Sequence, residues 1–369
     1  MATGWHWDEA YAWHQTGAGA AFLAAEGWVQ PGIENAESAL SKTRFRDLIA
    51  RSGLLDALVP IKGRDATEEE LLRFHTRAYL QHVQQVSDAG GGEAGDYTPI
   101  GPGSYEIAVR AAGGAIATVE AVVRGEVDNA YALVRPPGHH AEAELARGYC
   151  LFANTALSAM HAREALGVDR VAIVDWDVHH GNGTEDAFYE DPTVLTISIH
   201  ADELFPAGRG FVEHNGRGAG EGANLNIPLP DGCGHDAYLA AMDRVVVPAL
   251  RRFRPDLIIV ACGLDASAFD PLGRQIAHSD TYRAMTERLL EVAAELCDGR
   301  LALIHEGGYS EAYVPFCGVA VVEALVGRRV VDDPFLPHLE RRPGQRLAPH
   351  EAAAIDRAAA LVDRVPTRD

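Results

Sequence analysis

Basic residues are scarce in this chain. Lysines and arginines number 32 against 53 aspartates and glutamates, a formal net charge of −21. So acidic a composition argues against a general nucleic-acid binder, which carries a basic patch or stripe, and suits a cationic substrate such as a lysine-rich peptide or a polyamine. Long apolar runs are missing too: none reaches the 18 residues of a membrane-spanning helix, so no membrane association is expected. The start, MATGWHWDEAYAWHQTG, lacks the basic segment and apolar stretch of a secretory signal. The five cysteines, Cys150, Cys233, Cys262, Cys297 and Cys317, form no CxxC pair. That removes a zinc ribbon or redox dithiol and leaves free thiols, as in a reducing cytoplasm, the expected location.

What is present is a large core. The chain has 369 residues, 47% of them hydrophobic, enough for one sizeable α/β domain over residues 1–369. Short apolar runs read as buried parallel strands at 130–134 (AYALV), 171–176 (VAIVDW), 194–199 (VLTISI), 257–263 (LIIVACG) and 301–306 (LALIHE). Helical patterns lie between them near 155–166, 236–253 and 280–297. This alternation predicts a doubly wound parallel sheet with helices on both faces. The glycine- and proline-rich segment 88–103 reads as a surface loop, and the chain beyond about 340 as an external helix. The glycines of 216–222 lack the strand–turn–helix context of a phosphate-binding loop.

Ligands of open α/β sheets bind beyond the carboxyl ends of the strands. Just past four of these strands lie His139 and His140, then Asp177 and His179, then Asp265, then Tyr309. In DWDVHHGNGT (175–184), Asp177 and His179 are two apart and point the same way in extended chain. Carboxylate and imidazole both suit zinc. Asp265 alone would read as a helix cap, but it completes three ligands with one open position, the arrangement of a catalytic zinc site. Two carboxylates make the set hard enough for Fe(II), Mn(II) or Co(II) as well. In RPPGHH (135–140), an imidazole beside such a metal can move a proton from water to a leaving amine. Asp175 and Asn182 are candidates to orient the two rings through their other nitrogens. In HEGGYS (305–310), a glycine pair leaves Tyr309 projecting, where its hydroxyl can donate to an oxyanion.

Together these four motifs resemble the zinc-dependent histone deacetylase superfamily, and most of all its bacterial class II histone-deacetylase-like amidohydrolases. Asn182 stands where class I members carry a second aspartate. The resemblance runs from about residue 100 to 325 and implies an arginase-like fold with a central eight-stranded parallel sheet. It implies zinc on Asp177, His179 and Asp265, His140 as general base and then acid, His139 held by Asp175, and Tyr309 polarising the substrate carbonyl. It further implies a tunnel walled by Tyr149 and Phe205 with Leu272 at its rim, and a structural potassium ion near Asp175, Asp177, His179 and Ser198. Some positions depart from the family. Its His-Pro-Glu motif is replaced by ENAESALSK at 34–42, a change assigned to the rim loop. Phe152-Ala153-Asn154 replaces FNN, and Gly263-Leu264-Asp265 replaces Gly-Phe-Asp.

The expected reaction is hydrolysis of N-acyl-lysine in a peptide or protein. An acetylpolyamine or a long-chain acyl-amine is the alternative, weakened by Leu272 where polyamine deacetylases are expected to carry glutamate. A two-metal ureohydrolase would want more acid than His180 offers. A non-catalytic acyl-lysine reader would have lost Tyr309 or a ligand, and all are present. A homo-oligomer is compatible with the sequence.

Overall fold

All five apolar runs are strands in the computed structural model, which describes residues 2–25, 27–30 and 34–368. They are β3 (Asn129–Ala132), β4 (Val171–Asp175), β5 (Val194–Ala201), β7 (Leu257–Cys262) and β8 (Leu301–His305). Three further strands complete an eight-stranded sheet: β1 (Thr3–His6), β2 (Leu58–Pro60) and β6 (Asn224–Leu229). The order is β6-β5-β4-β7-β8-β3-β1-β2, and every pairing is parallel. The eight-stranded parallel sheet implied by the resemblance is therefore present. The extra strands escaped the apolar-run criterion because they are short or polar. In β6, NLNIPL, Asn224 and Asn226 donate to the buried Glu185 instead of packing as hydrocarbon.

Alternate residues of each central strand pack on opposite faces, so both faces are cores. Val174, Ile197, Val260 and Leu303 face one cluster, with α1 (Leu40–Arg51), α4 (Ser279–Leu296) and α5 (Val314–Val326) over it. Ile173, Val194, Ile259 and Ile304 face the other, under α2 (Ser104–Val123) and α3 (Asn154–Leu166). The expected helix at 236–253 is a continuous helical run, His235–Phe253, interrupted by one π turn over Met242–Val246. Beyond 340, α6 (Pro349–Ala359) packs beside β6. Segment 88–103 carries two small ladders, Gly92–Glu93 with Pro99–Ile100 and Gly95–Asp96 with Ala146–Arg147. Among the described residues, no helix is long and apolar enough to cross a membrane.

The chain runs outward from β4 through β5 to β6, then returns to place β7 on the other side of β4. Asp175 of β4 lies opposite Ala261 of β7. The direction of winding reverses at this pair, which opens a crevice at the carboxyl ends of the strands.

Candidate active site

The chain leaving β4 supplies Asp177 and His179, and the chain leaving β7 supplies Asp265. All three are buried, and their ligand atoms lie within 4.8 Å of one another. His179 Nδ1 is 2.9 Å from Asp177 Oδ1 and 3.1 Å from Asp265 Oδ2. Backbone amides hold the carboxylates in place: His179 N and Gly307 N donate to Asp177 at 2.9 and 2.8 Å, and Val178 N donates to Asp265 Oδ1 at 2.8 Å. Apart from His179 Nδ1 at 3.1 Å, the buried Asp265 Oδ2 has no hydrogen-bond partner. A buried carboxylate oxygen with so little to pair it is costly. Burial and the Asp177 charge push the Asp265 carboxyl up to about 8. Burial opposes charge on His179, but Asp177 and Asp265 raise it to about 10. Two buried carboxylates and an imidazole nitrogen gathered this closely fit a metal cation.

The histidine pair follows β3. Gly138 N and His139 N donate to Glu306 Oε2 at 2.6 and 3.0 Å, and Thr155 Oγ1 donates to Glu306 Oε1 at 2.9 Å. Glu306, the last acid before the glycine pair, thus anchors the histidine loop to the tyrosine loop. His139, Cys150 and Glu306 also cluster. There, however, both carboxylate oxygens are already occupied, and burial pushes the Cys150 thiol well up, so the trio has no free ligand set.

The rings of His139 and His140 are 3.9 Å apart. His139 Nδ1 donates to Asp175 Oδ2 at 2.9 Å. Burial opposes charge on His139, yet Asp177 and Asp175 raise it to about 10. His140 is held well below its ordinary value by burial and by the charges of His139 and His179. Asn182 Nδ2 donates to the Glu142 carboxylate at 2.8 Å, which fixes the amide orientation and turns Asn182 Oδ1 to His140 Nδ1 at 2.8 Å. An amide oxygen only accepts, so the His140 proton sits on Nδ1 and Nε2 keeps its lone pair. Two adjacent imidazoles are thereby assigned opposite states by their surroundings.

Tyr309 follows the glycine pair and is nearly buried at 7% exposure. Burial, then Asp177 and Asp265, hold its hydroxyl well above the ordinary range, so it remains a donor. A cavity of about 400 Å³ leads down to it, with His140, His179 and Tyr309 lining its depth, Tyr149 and Phe205 in its wall and Leu272 beside them. The structure thus brings together every residue singled out from the sequence. Phe22 and Tyr97 also line the cavity. Tyr97 packs edge-on against Phe205 and Phe22.

One expectation is corrected. Segment 34–42 does not stop at the rim. Glu37 and Lys42 are wholly buried behind Tyr309: Lys42 Nζ pairs with Glu37 at 3.0 Å, donates to Gly308 O at 3.2 Å and lies 5.2 Å from the Tyr309 ring centre. Arg135 satisfies the other Glu37 oxygen at 2.8 Å. Arg135 is 98 residues from Glu37 and Gly308 is 266 from Lys42, and nothing local announces these contacts. His180 pairs with Glu185, 3.2 Å distant, and not with Asp177 or Asp265. Ser198 sits opposite Asp175 on β5, and its hydroxyl meets His200 Nδ1 at 2.9 Å.

A buried Asp-His-Asp set thus lies at the switch point of the sheet, under an aromatic-walled cavity. Comparison with known proteins gives the family. The histone deacetylase domain family matches residues 36–325. A histone deacetylase-like amidohydrolase of Pseudomonas aeruginosa is 48% identical over 99% of this chain and 97% of its own length. A probable deacetylase of Archaeoglobus fulgidus is 37% identical over 76% and 78% of the two chains, and histone deacetylase 8 of Arabidopsis thaliana 40% identical over 72% and 71%. The solved HDA15 HD domain superposes with a TM-score of 0.85 at 30% identity, covering 98% of this chain and 96% of that one. The chain belongs to the histone deacetylase family, and with it to the amide-cleaving hydrolases.

Proposed function

We propose that residues 1–369 act as one catalytic domain, a zinc-dependent deacetylase that cleaves the amide of N-acyl-lysine in cytoplasmic peptides or proteins. The observation that carries this reading is the cavity itself: aromatic walls suited to an alkyl stem, ending at His140, His179 and Tyr309. Asp177, His179 and Asp265 would hold the metal, and the closeness of their buried ligand atoms supports that assignment. When bound, the ion supplies Lewis acidity at the scissile carbonyl. His140 Nε2 accepts a proton from the attacking water and later delivers it to the leaving amine. His139, oriented by its hydrogen bond to Asp175, gives electrostatic help to the negative charge that develops. The Tyr309 hydroxyl donates to the oxyanion. Zinc is the reading for this ligand set, with Fe(II), Mn(II) and Co(II) as competitors in loading experiments. A potassium ion beside Asp175 and Ser198 is proposed as a structural support, and a melting temperature that rises with potassium and not with lithium would support it.

Leucine at position 272 offers no charge to a second ammonium, which favours lysine over polyamine. The test is turnover on acetyl-lysine peptide, longer acyl-lysines and acetylputrescine, with metal content measured on the same sample. Acetyl-lysine peptide should be the best substrate. A preference for acetylputrescine or for a long acyl chain would replace the lysine reading with that alternative, and no turnover of any acylated amine by metal-loaded protein would end the enzymatic one.

A further inference from the structure

The loop carrying Tyr309 is held by its backbone at three points. Gly307 N donates to Asp177 Oδ2 at 2.8 Å. Gly308 O accepts from Ser41 Oγ at 2.9 Å and from Lys42 Nζ at 3.2 Å. Tyr309 N donates to Asp270 Oδ2 at 2.7 Å. The first two points secure the glycines; the third acts on the amide of the tyrosine itself.

Asp270 belongs to the loop that starts at the ligand Asp265 and ends at Leu272 in the cavity wall. Its other oxygen, Oδ1, accepts from Leu272 N at 2.9 Å and Gly273 N at 3.1 Å, while its own amide donates to Ser267 O at 3.0 Å. Gly273 passes so close to Asp265 that a Cβ there would lie 2.1 Å from the Asp265 carbonyl oxygen. One carboxylate therefore joins three parts of the site: the turn under Leu272, the loop of a metal ligand and the backbone of Tyr309. Capping the turn needs only Oδ1. Oδ2 reaches an amide 39 residues further along the chain, and a hydrogen bond to an ionised acceptor is among the stronger ones.

We propose that Asp270 is a positioning residue for the reaction: it fixes the Tyr309 hydroxyl relative to the Asp265 loop and the cavity wall. The proposal rests on the oxyanion role of Tyr309 given above. A donor must come within about 3 Å of the developing oxyanion, and a displacement of about 1 Å can cost on the order of 100-fold in rate.

The test measures kcat and KM on acetyl-lysine peptide for the full chain, Asp270→Ser, Tyr309→Phe and the double variant. Serine keeps a short oxygen for the Leu272–Gly273 turn but does not span to Tyr309 N. Asp270→Ser should lower kcat roughly 10- to 100-fold with KM within about twofold and metal content unchanged. Tyr309→Phe should lower it about 100-fold. In the Tyr309→Phe background, Asp270→Ser should change kcat by less than about threefold, because residues acting as a unit are not additive. Equal losses in both backgrounds, or wild-type kcat in Asp270→Ser, would overturn the proposal while leaving Tyr309 in place. Wild-type kcat in Tyr309→Phe would remove the role of Tyr309, and that of Asp270 with it. Should the serine variant not fold, Asp270→Asn replaces it. Its amide oxygen serves the turn, its NH2 opposes Tyr309 N–H, and the same pattern is expected. Hydrogen exchange at 305–310 should be faster in the variant used, and unchanged protection there would contradict the link.

Discussion

Asn182 shows how much a single amide can decide. Glu142 accepts from its nitrogen, so its oxygen faces His140 Nδ1, and the proton position on His140 follows from hydrogen-bonding rules alone. Asn182→Ala removes the acceptor and frees the tautomer. It should lower kcat on the order of 100-fold without changing metal content, as steady-state rates and metal analysis on one preparation will show; wild-type kcat would contradict the assignment. At this scale the sequence was most readable. Asp175, Asp177, His179, Asn182, His139, His140 and Tyr309 all announce themselves as polar groups at strand ends. The partners that hold them do not. Glu306, Glu142 and Asp270 are lone acids in turns, and Lys42 and Glu37 lie in a segment that reads as loop and helix start. Each gains its meaning only from a contact formed across the fold.

At the scale of elements, two glycines let the β8 loop close over Asp177 and Asp265. A Cβ on Gly307 would lie 2.2 Å from Asp265 Oδ2 and 2.6 Å from Asp177 Oδ2. Gly307→Ala must therefore displace a carboxylate, and metal affinity should fall roughly 10- to 100-fold, the range for lost support around a ligand. Competition with a chelator measures this, and unchanged affinity in a folded variant would contradict the crowding. The five apolar strands and three helical runs were legible because burial on both faces leaves near-continuous hydrocarbon. Strands β1 and β6 were not. β1 is four residues, TGWH, and β6 alternates asparagine with apolar residues because Asn224 and Asn226 serve Glu185. Hydrophobic pattern cannot register a strand whose inward face is a polar network.

The whole molecule carries buried neutral histidines whose cost is paid in acid. Burial, aided by Arg135, holds His14 down to about 3. Burial holds His75 down to about 4, and burial with His235 does the same for His278. In the unfolded chain each takes a proton near pH 6.5. Between that pH and the folded values the unfolded state binds more protons, so the stability they contribute above pH 6.5 drains away as pH falls. Burial alone would raise Glu37, but Arg135 and Lys42 outweigh it and bring it to about 2, which adds a further loss below about pH 4.5. Urea unfolding at constant ionic strength should show stability falling continuously from about pH 6.5 downward; a flat profile from pH 7 to 5 would contradict it. Overall charge told only which partners to doubt, while architecture was legible from the alternation of strands and helices and from the motifs at one sheet edge.

The proposed hydrolysis depends on a single metal held by Asp177, His179 and Asp265 at the foot of the cavity. The most direct measurement is zinc titration of metal-stripped protein, following turnover of an acetyl-lysine peptide. Activity should be negligible without metal, rise linearly and level off at about one zinc per chain, as a site of three protein ligands requires, with no recovery in Asp265→Asn. Full turnover in stripped protein, or a plateau at two metals per chain, would rule out a single catalytic metal.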